Sequence, residues 1–170
     1  MQNLIELRHI LHAHPELSEH EALTNKILNE WIKQTRPDRL IERIGGYGLA
    51  AVYQGAKPGK RILVRGDIDA LHIPEPNGLP YRSQNEGVSH KCGHDGHATI
   101  LCGLAQWLGE QRPDQGEVVL LFQPAEETGQ GAQAVIDDPQ FAQIKPDVAY
   151  ALHNLPGFEK GKIMVKKGCF

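Results

Sequence analysis

The stretch RILVRGDID (residues 61–69) joins a short apolar run to a pair of aspartates. A run of this kind is typical of a buried strand. The pattern recurs in EVVLLFQ (117–123), which PAEETGQG follows, and in VAYALHN (148–154). Because open α/β sheets place ligand sites at the carboxyl ends of their strands, these three polar clusters are expected to converge in space.

Helical patterns alternate with these strands and predict an α/β domain with a mixed, largely parallel sheet. A first amphipathic helix ends at Pro15, and SEHE (18–21) fits a capping box for a second. Further helices are predicted in DGHATILCGLAQWLGEQ (95–111) and GQGAQAVIDD (129–138), and further strands in LIERI (40–44), YGLAAVYQ (47–54) and GKIMVKK (161–167). GAKPGK (55–60) reads as a turn, and residues 68–91 as a long irregular loop.

Composition excludes several classes of protein. The chain has 170 residues, of which 40% are hydrophobic and 23% charged, so it is long enough for one globular core. Its net charge of -3 gives no electrostatic reason to expect nucleic acid or an anionic membrane as a partner. No apolar run is long enough to span a membrane, and three cysteines favour a reducing compartment, so a cytoplasmic protein is expected.

The stretch SHKCGHDGHATI (89–100) contains the first candidate ligands. Cys92 and His94 are two residues apart, and in extended backbone both side chains would reach one ion of the zinc class. The alternative is a buried cysteine followed by a helix-capping histidine, and the spacing alone does not choose between them. His97, in the first turn of the predicted helix, is either a partner of a ligand or structural.

Two adjacent carboxylates, Glu126 and Glu127, strengthen the metal hypothesis. One can ligate a metal while its neighbour acts as the general base; the alternative is a solvated surface pair. His153 ends an apolar strand and is either a ligand or a hydrogen-bonded structural residue. Asp69 suits a carboxylate that orients a ligand histidine, although either Asp67 or Asp69 could instead cap a turn.

A cysteine nucleophile is the competing chemistry, with Cys92 paired to His94 or His153. It leaves the two glutamates without a role and has no recognisable oxyanion-hole motif. Phosphate-loop and dinucleotide fingerprints are also absent from the sequence. Metal-dependent hydrolysis therefore ranks first.

The motifs HAHPELSEHE, RGDIDALHIPE, HKCGHDGHATILCGLA, LLFQPAEETGQGA and ALHNLPGFEKGKI occur in this order across almost the whole chain. Together they resemble the M20 metallopeptidase clan, in particular its amidohydrolase branch of N-acyl-amino-acid amidohydrolases, hippurate hydrolases and auxin-conjugate hydrolases. The resemblance implies a three-layer zinc-peptidase-like catalytic domain. It also implies hydrolysis of the amide bond of small N-acyl amino acids.

The resemblance further implies two divalent metal ions, of zinc, manganese, cobalt or nickel. Cys92 would occupy the bridging position, which is an aspartate elsewhere in the clan. His94, Glu127 and His153 would be further ligands, Glu126 the general base, and Asp69 the residue that orients the site.

Enzymes of the clan are longer than this chain. The resemblance therefore predicts that residues 1–170 form the first half of a catalytic domain that is incomplete at its C-terminus, without the lid and dimerisation domain and without the closing segment. We expect this polypeptide alone to be inactive or nearly so, and to expose apolar surface that favours a homo-oligomer. The alternative function is a non-catalytic metal-binding or interaction fragment that retains the fold.

Overall fold

The computed structural model describes residues 3–76 and 78–165. It contains five strands that form one mixed sheet, with helices on both faces. The helices are α1 (Leu4–Ala13), α2 (Ala22–Gln34), α3 (His94–Glu110) and α4 (Gly131–Asp137), with a short 3₁₀ helix at Pro139–Gln143. The strands are β1 (Arg39–Ile44), β2 (Gly48–Gln54), β3 (Lys57–Asp67), β4 (Gln115–Gln123) and β5 (Val148–Ala151).

The strand order across the sheet is β1-β2-β4-β3-β5. Two pairings are antiparallel, β1 with β2 and β2 with β4, and two are parallel, β3 with β4 and β3 with β5. The mixed α/β sheet is therefore as predicted, with its parallel half formed by β4, β3 and β5. The carboxyl ends of these three strands lie at one edge, where the three polar clusters follow them.

Three layers enclose two apolar cores. Side chains of β2 and β4 alternate between the faces, so Leu49 and Phe122 pack with α1, α2 and α3. Their neighbours Ala50 and Leu121 instead pack with Val135 of α4 on the opposite face. Burial on both faces explains why these strands are nearly continuous apolar runs.

Two parts of the prediction were wrong in detail. The stretch 55–60, predicted to be a turn, already contains the start of β3 at Lys57, because Lys57 pairs with Gln115 before the register shifts towards Arg61. Residues 161–165 of the predicted last strand are not in a strand, and residues 166 and 167 lie outside the described range. Residues 68–91 contain no helix or strand among those described, only isolated bridges such as Leu71 with Ser89.

The predicted capping box at residues 18–21 was also wrong. The N-cap of α2 is Glu21, and its side chain makes no capping hydrogen bond. The carboxylate of Glu16 caps the helix instead, accepting hydrogen bonds from the backbone N–H groups of Leu23 and Thr24. Ser18 does not cap this helix, and its hydroxyl instead donates a hydrogen bond to Asp69.

No helix in residues 3–76 and 78–165 is long and apolar enough to cross a membrane.

Candidate metal centre

The candidate site lies where the carboxyl ends of β3, β4 and β5 meet the N-terminus of α3. Asp67 ends β3 and Asp69 follows it, Glu126 and Glu127 follow β4, and His153 follows β5. The parallel pairing of β3 with both neighbours brings these residues to the same edge of the sheet.

His94, the first residue of α3, is fully buried. Its Nδ1 lies 2.9 Å from the backbone oxygen of Asp69 and 3.1 Å from Asp69 Oδ1, so this nitrogen donates and Nε2 carries the lone pair. Nε2 has no hydrogen-bond partner. It lies 3.6 Å from Glu127 Oε1 and 3.8 Å from Glu126 Oε2. Asp69 therefore turns the free electron pair of His94 towards both glutamates.

Cys92 and His153 come together at the outer side of the cluster, with 3.4 Å between Sγ and Nε2. Cys92, His94 and Glu127 can each offer one ligand atom such that these atoms lie within 4.8 Å of one another. Cys92 and His94 do not reach this arrangement through extended backbone, because Gly93 between them adopts a left-handed conformation with φ of 95°. The expected proximity is present, but a turn rather than a strand produces it.

His97 makes contacts through both ring nitrogens. Nδ1 contacts Asp67 Oδ1, and Nε2 contacts the side chain of Asn154. Asp67 also accepts a hydrogen bond of 2.6 Å from Arg65. Asp67 Oδ1 lies 3.5 Å from His94 Nε2, and Asp67, His94, His97 and His153 form a second group with ligand atoms within 4.8 Å.

Sequence reasoning gave Asp67 and Asn154 no role at the site. A signal for Asp67 was available, because alternation along a strand sends Asp67 and Asp69 to the same side. Asn154 carried no comparable signal, since its contact with His97 joins residues that are far apart in the chain.

Burial and neighbouring polar groups shift the pKa values of Asp69 and His94 in opposite directions. Burial alone would raise the pKa of Asp69, but hydrogen bonds from His94, the Glu127 amide and Ser18 outweigh burial and hold that pKa below its usual value. Burial would lower the pKa of His94, but its hydrogen bond to Asp69 and the nearby carboxylates, Asp67 first, raise it. Burial raises the pKa of Glu127. The site therefore concentrates negative charge that a cation would neutralise.

The thiol of Cys92 is protonated at neutral pH in this environment. Burial, followed by the negative charges of Glu127 and Glu126, raises its pKa to about 11. A cysteine nucleophile needs the opposite shift, because the thiolate is the reactive form. The surroundings of Cys92 thus disfavour the nucleophile hypothesis and favour a thiol that ionises on binding a cation.

Two buried polar atoms, His94 Nε2 and Glu127 Oε1, lack any hydrogen-bond partner and face each other across 3.6 Å. Buried polar groups are normally paired, so two unpaired acceptors beside a thiol require an explanation. An imidazole, a thiol and a carboxylate are a donor set that suits a borderline cation such as zinc. The residues present therefore fit a divalent metal ion.

A separate cleft of about 580 Å³ opens beside the β1–β2 turn. Glu21, Tyr47, Ala125 and Gln130 are among the residues that line it. Because none of Cys92, His94, Glu126, Glu127 and His153 lines this cleft, it is distinct from the candidate metal centre.

Comparisons with known proteins agree with this geometry. The chain is 41% identical to an N-acetyl-L-cysteine deacetylase of Bacillus subtilis, over 98% of this chain and 40% of the relative. It is 39% identical to a hippurate hydrolase of Campylobacter jejuni, over 96% of this chain and 42% of the relative. The chain therefore spans less than half the length of these relatives.

A solved structure from Bacillus subtilis, described as a dinuclear metal binding peptidase from the M20 family, matches the fold with a TM-score of 0.89 at 36% identity. The match covers 97% of this chain and 46% of that one. The three-layer architecture is thus that of an M20 catalytic domain. Residues 63–168, which include every candidate ligand, match the family model directly, and the chain belongs to peptidase family M20/M25/M40.

Proposed function

We propose that this chain carries the metal centre of a metal-dependent amidohydrolase that cleaves N-acyl amino acids into a carboxylic acid and a free amino acid. The unpaired, buried nitrogen of His94 facing Glu127 is the observation that carries the proposal. The similarity to an N-acetyl-L-cysteine deacetylase and a hippurate hydrolase supports this class of substrate.

In this proposal Cys92, His94, Glu127 and His153 would hold two divalent ions. Zinc, manganese, cobalt and nickel all suit the donor set. When bound, the metal would polarise the carbonyl of the scissile amide. Asp69 holds the Nδ1 proton of His94 and so keeps Nε2 available as a ligand.

Glu126 is the general base in the same proposal. Its side chain is 35% exposed whereas that of Glu127 is 19% exposed, and both carboxylates approach the same nitrogen of His94. The more accessible carboxylate can take a proton from the attacking water and pass it to the leaving amine. Glu127, which is more buried and lacks a partner for Oε1, suits the ligand position.

Because the chain spans 40% to 46% of its relatives, we propose this activity for the complete catalytic unit. The inactivity of residues 1–170 alone, their place as the first half of a catalytic domain, a homo-oligomer and a cytoplasmic location stay predictions.

The first test is the metal content of the purified chain after loading with Zn²⁺ or Mn²⁺, measured by elemental analysis. We expect bound metal in the parent chain and a loss in Cys92→Ala and in Glu127→Ala. Cys102→Ala and Glu30→Ala are matched controls, because Cys102 lies in the apolar core and Glu30 is exposed on α2. Absence of metal from the loaded parent, or equal metal in all variants, would refute the proposed centre.

Hydrolysis is tested in a chimera in which residues 1–170 replace the matched part of the Bacillus subtilis N-acetyl-L-cysteine deacetylase. We expect N-acetylcysteine hydrolysis that a chelator abolishes and that Glu126→Gln removes without loss of metal. A chimera that retains metal but hydrolyses no N-acyl amino acid would favour the non-catalytic metal-binding alternative. Inhibition by thiol alkylation but not by chelation would favour the cysteine nucleophile.

A further inference from the structure

The N-terminal motif HAHPELSEHE (residues 12–21) has no role in the proposed chemistry, yet three of its side chains reach residues beside the metal centre. Ser18 contacts Asp69, Glu21 contacts Ala125, and His12 contacts Asp95. Each of these three contacted residues either forms a hydrogen bond with a candidate ligand or is the sequence neighbour of a candidate ligand or of the base. We name residues 12–21 the N-terminal segment.

Ser18 acts on the residue that connects two ligands. Its hydroxyl donates a hydrogen bond of 2.7 Å to Asp69 Oδ2. The same carboxylate accepts hydrogen bonds from His94 Nδ1 and, at 2.9 Å, from the backbone N–H of Glu127. Asp69 is completely buried, so its orientation is set by these few donors. Loss of the Ser18 hydroxyl removes one of them.

Glu21 acts on the turn that carries the two glutamates. It is completely buried, and its Oε1 accepts a hydrogen bond of 2.8 Å from the backbone N–H of Ala125. Ala125 has φ of 49°, a left-handed conformation that costs a non-glycine residue about 1 kcal/mol or more. A contact that stabilises this conformation also fixes the direction in which Glu126 and Glu127 leave β4.

His12 supports the start of α3, which is the third part of the site. Its Nδ1 lies 2.8 Å from Asp95 Oδ2, and Asp95 follows His94 in the first turn of α3. Its Nε2 lies 3.0 Å from Glu75 in the long loop that leads to Cys92. The N-terminal segment thus contacts the N-terminus of α3 as well as the residues that follow β3 and β4.

We propose that the N-terminal segment positions the metal centre, with Ser18 acting through Asp69 and Glu21 acting through the Ala125–Glu127 turn. This inference rests on the proposed function for its effect on metal affinity. Its effect on the local structure does not need a metal. Substitutions that remove such supporting contacts typically lower metal affinity about 10- to 100-fold.

The experiment combines amide hydrogen exchange of the metal-free chain with Zn²⁺ titration of the same variants. Ser18→Ala and Glu21→Ala should make the amides of residues 125–127 exchange about tenfold faster and should weaken Zn²⁺ binding about 10- to 100-fold. Ser18→Thr retains the hydroxyl and Glu21→Gln retains an acceptor oxygen. Both conservative variants should recover much of the protection and of the affinity.

Thr35→Ala and Glu19→Ala are the controls. The Thr35 hydroxyl donates to the backbone oxygen of Ile32 and contacts the Tyr53 hydroxyl at the far end of α2, so Thr35→Ala should lower the melting temperature while leaving residues 125–127 and Zn²⁺ affinity unchanged. Glu19 is an exposed carboxylate in the same segment, and Glu19→Ala should change neither readout.

Unchanged exchange at residues 125–127 in Ser18→Ala and Glu21→Ala would overturn the inference. A uniform rise in exchange across all elements would also overturn it, since it would show that Ser18 and Glu21 stabilise the whole fold rather than position the turn. Faster local exchange in a chain whose parent binds no Zn²⁺ would support positioning of the turn and would refute the proposed metal centre alone.

Discussion

The surroundings of Cys92 raise the pKa of its thiol. Its thiol, with a pKa raised to about 11, is protonated at neutral pH, whereas a metal ligand must be the thiolate. His94 also has a raised pKa, so protons compete with a cation for its Nε2 more strongly than for that of an ordinary imidazole. The free energy of metal binding at this site is therefore coupled to pH.

We predict that Zn²⁺ affinity rises with pH between about 6 and 9, by up to about tenfold per unit for each proton released. The sign follows because both groups are more protonated in the metal-free chain than in the complex. Calorimetric titration in buffers of different ionisation enthalpy counts these protons. In Cys92→Asp the carboxylate is already ionised, so the count should fall by one; an unchanged count would mean that Cys92 is not a ligand.

Substitutions of the two adjacent glutamates should have different effects on metal affinity and on hydrolysis. Glu127→Gln should lower Zn²⁺ affinity by at least about tenfold, because it removes the charge that faces His94 Nε2 at 3.6 Å. Glu126→Gln should change Zn²⁺ affinity by less than about threefold while abolishing hydrolysis in the chimera. Isothermal titration of both variants checks the prediction, and equal losses of affinity would contradict the separate roles.

At the level of single residues, the sequence predicted that Cys92, His94, Glu126 and Glu127 converge, because they lie near the end of an apolar strand or the start of a helix, and the structure brings them together. Their roles as ligands and base stay predictions. Ser18 was misassigned because a capping box is a local pattern, whereas its partner Asp69 lies 51 residues away. Long-range partners of this kind depend on the tertiary packing of α1 and the loop, and local spacing does not encode that packing.

Among the elements, α4 begins at a glycine that packs tightly against the backbone at the end of β4. A Cβ at Gly131 would lie 1.6 Å from the backbone oxygen of Pro124, and the Gly131 N–H donates to Ala125 O. We predict that Gly131→Ala destabilises the chain by about 3 kcal/mol or more, because backbone rather than a flexible side chain must move. Urea unfolding followed by circular dichroism measures the loss.

Gly129→Ala is the matched control. Gly129 has φ of 71°, but nothing lies within 4 Å of the position that a Cβ would take, so alanine there meets conformational strain without a clash. Its cost should stay at about 1 kcal/mol. Equal losses for the two variants would contradict the close-approach argument.

Element types were largely predictable because the strands β2 and β4 are apolar on both faces and the helices have clear apolar stripes. The start of β3 was not, because Pro58 and Gly59 in GAKPGK are typical of turns. That stretch is nevertheless extended, since Lys57 pairs with Gln115 at the irregular end of the sheet. Tertiary pairing overrode local propensity there.

At the scale of the whole molecule, metal binding should stabilise the fold. The ligand candidates come from the ends of β4 and β5 and from the start of α3, so a bound ion would connect separate elements. At a free Zn²⁺ concentration of about 100 times Kd, we predict a gain of about 2.7 kcal/mol in the free energy of unfolding. Thermal melts with and without Zn²⁺ test this; an equal gain in Glu127→Ala would assign it to binding elsewhere.

The strand order has a consequence for synthesis of the chain on the ribosome. β4 is the fourth strand to be made, yet it lies at the centre of the sheet between β2 and β3. Until residue 123 leaves the exit tunnel, β2 and β3 lack the strand that joins them, and the core beneath α1, α2 and α3 lacks Leu120 and Phe122. The nascent chain must therefore carry exposed apolar helices until β4 has been made, which makes it a candidate for chaperone binding before its fold closes.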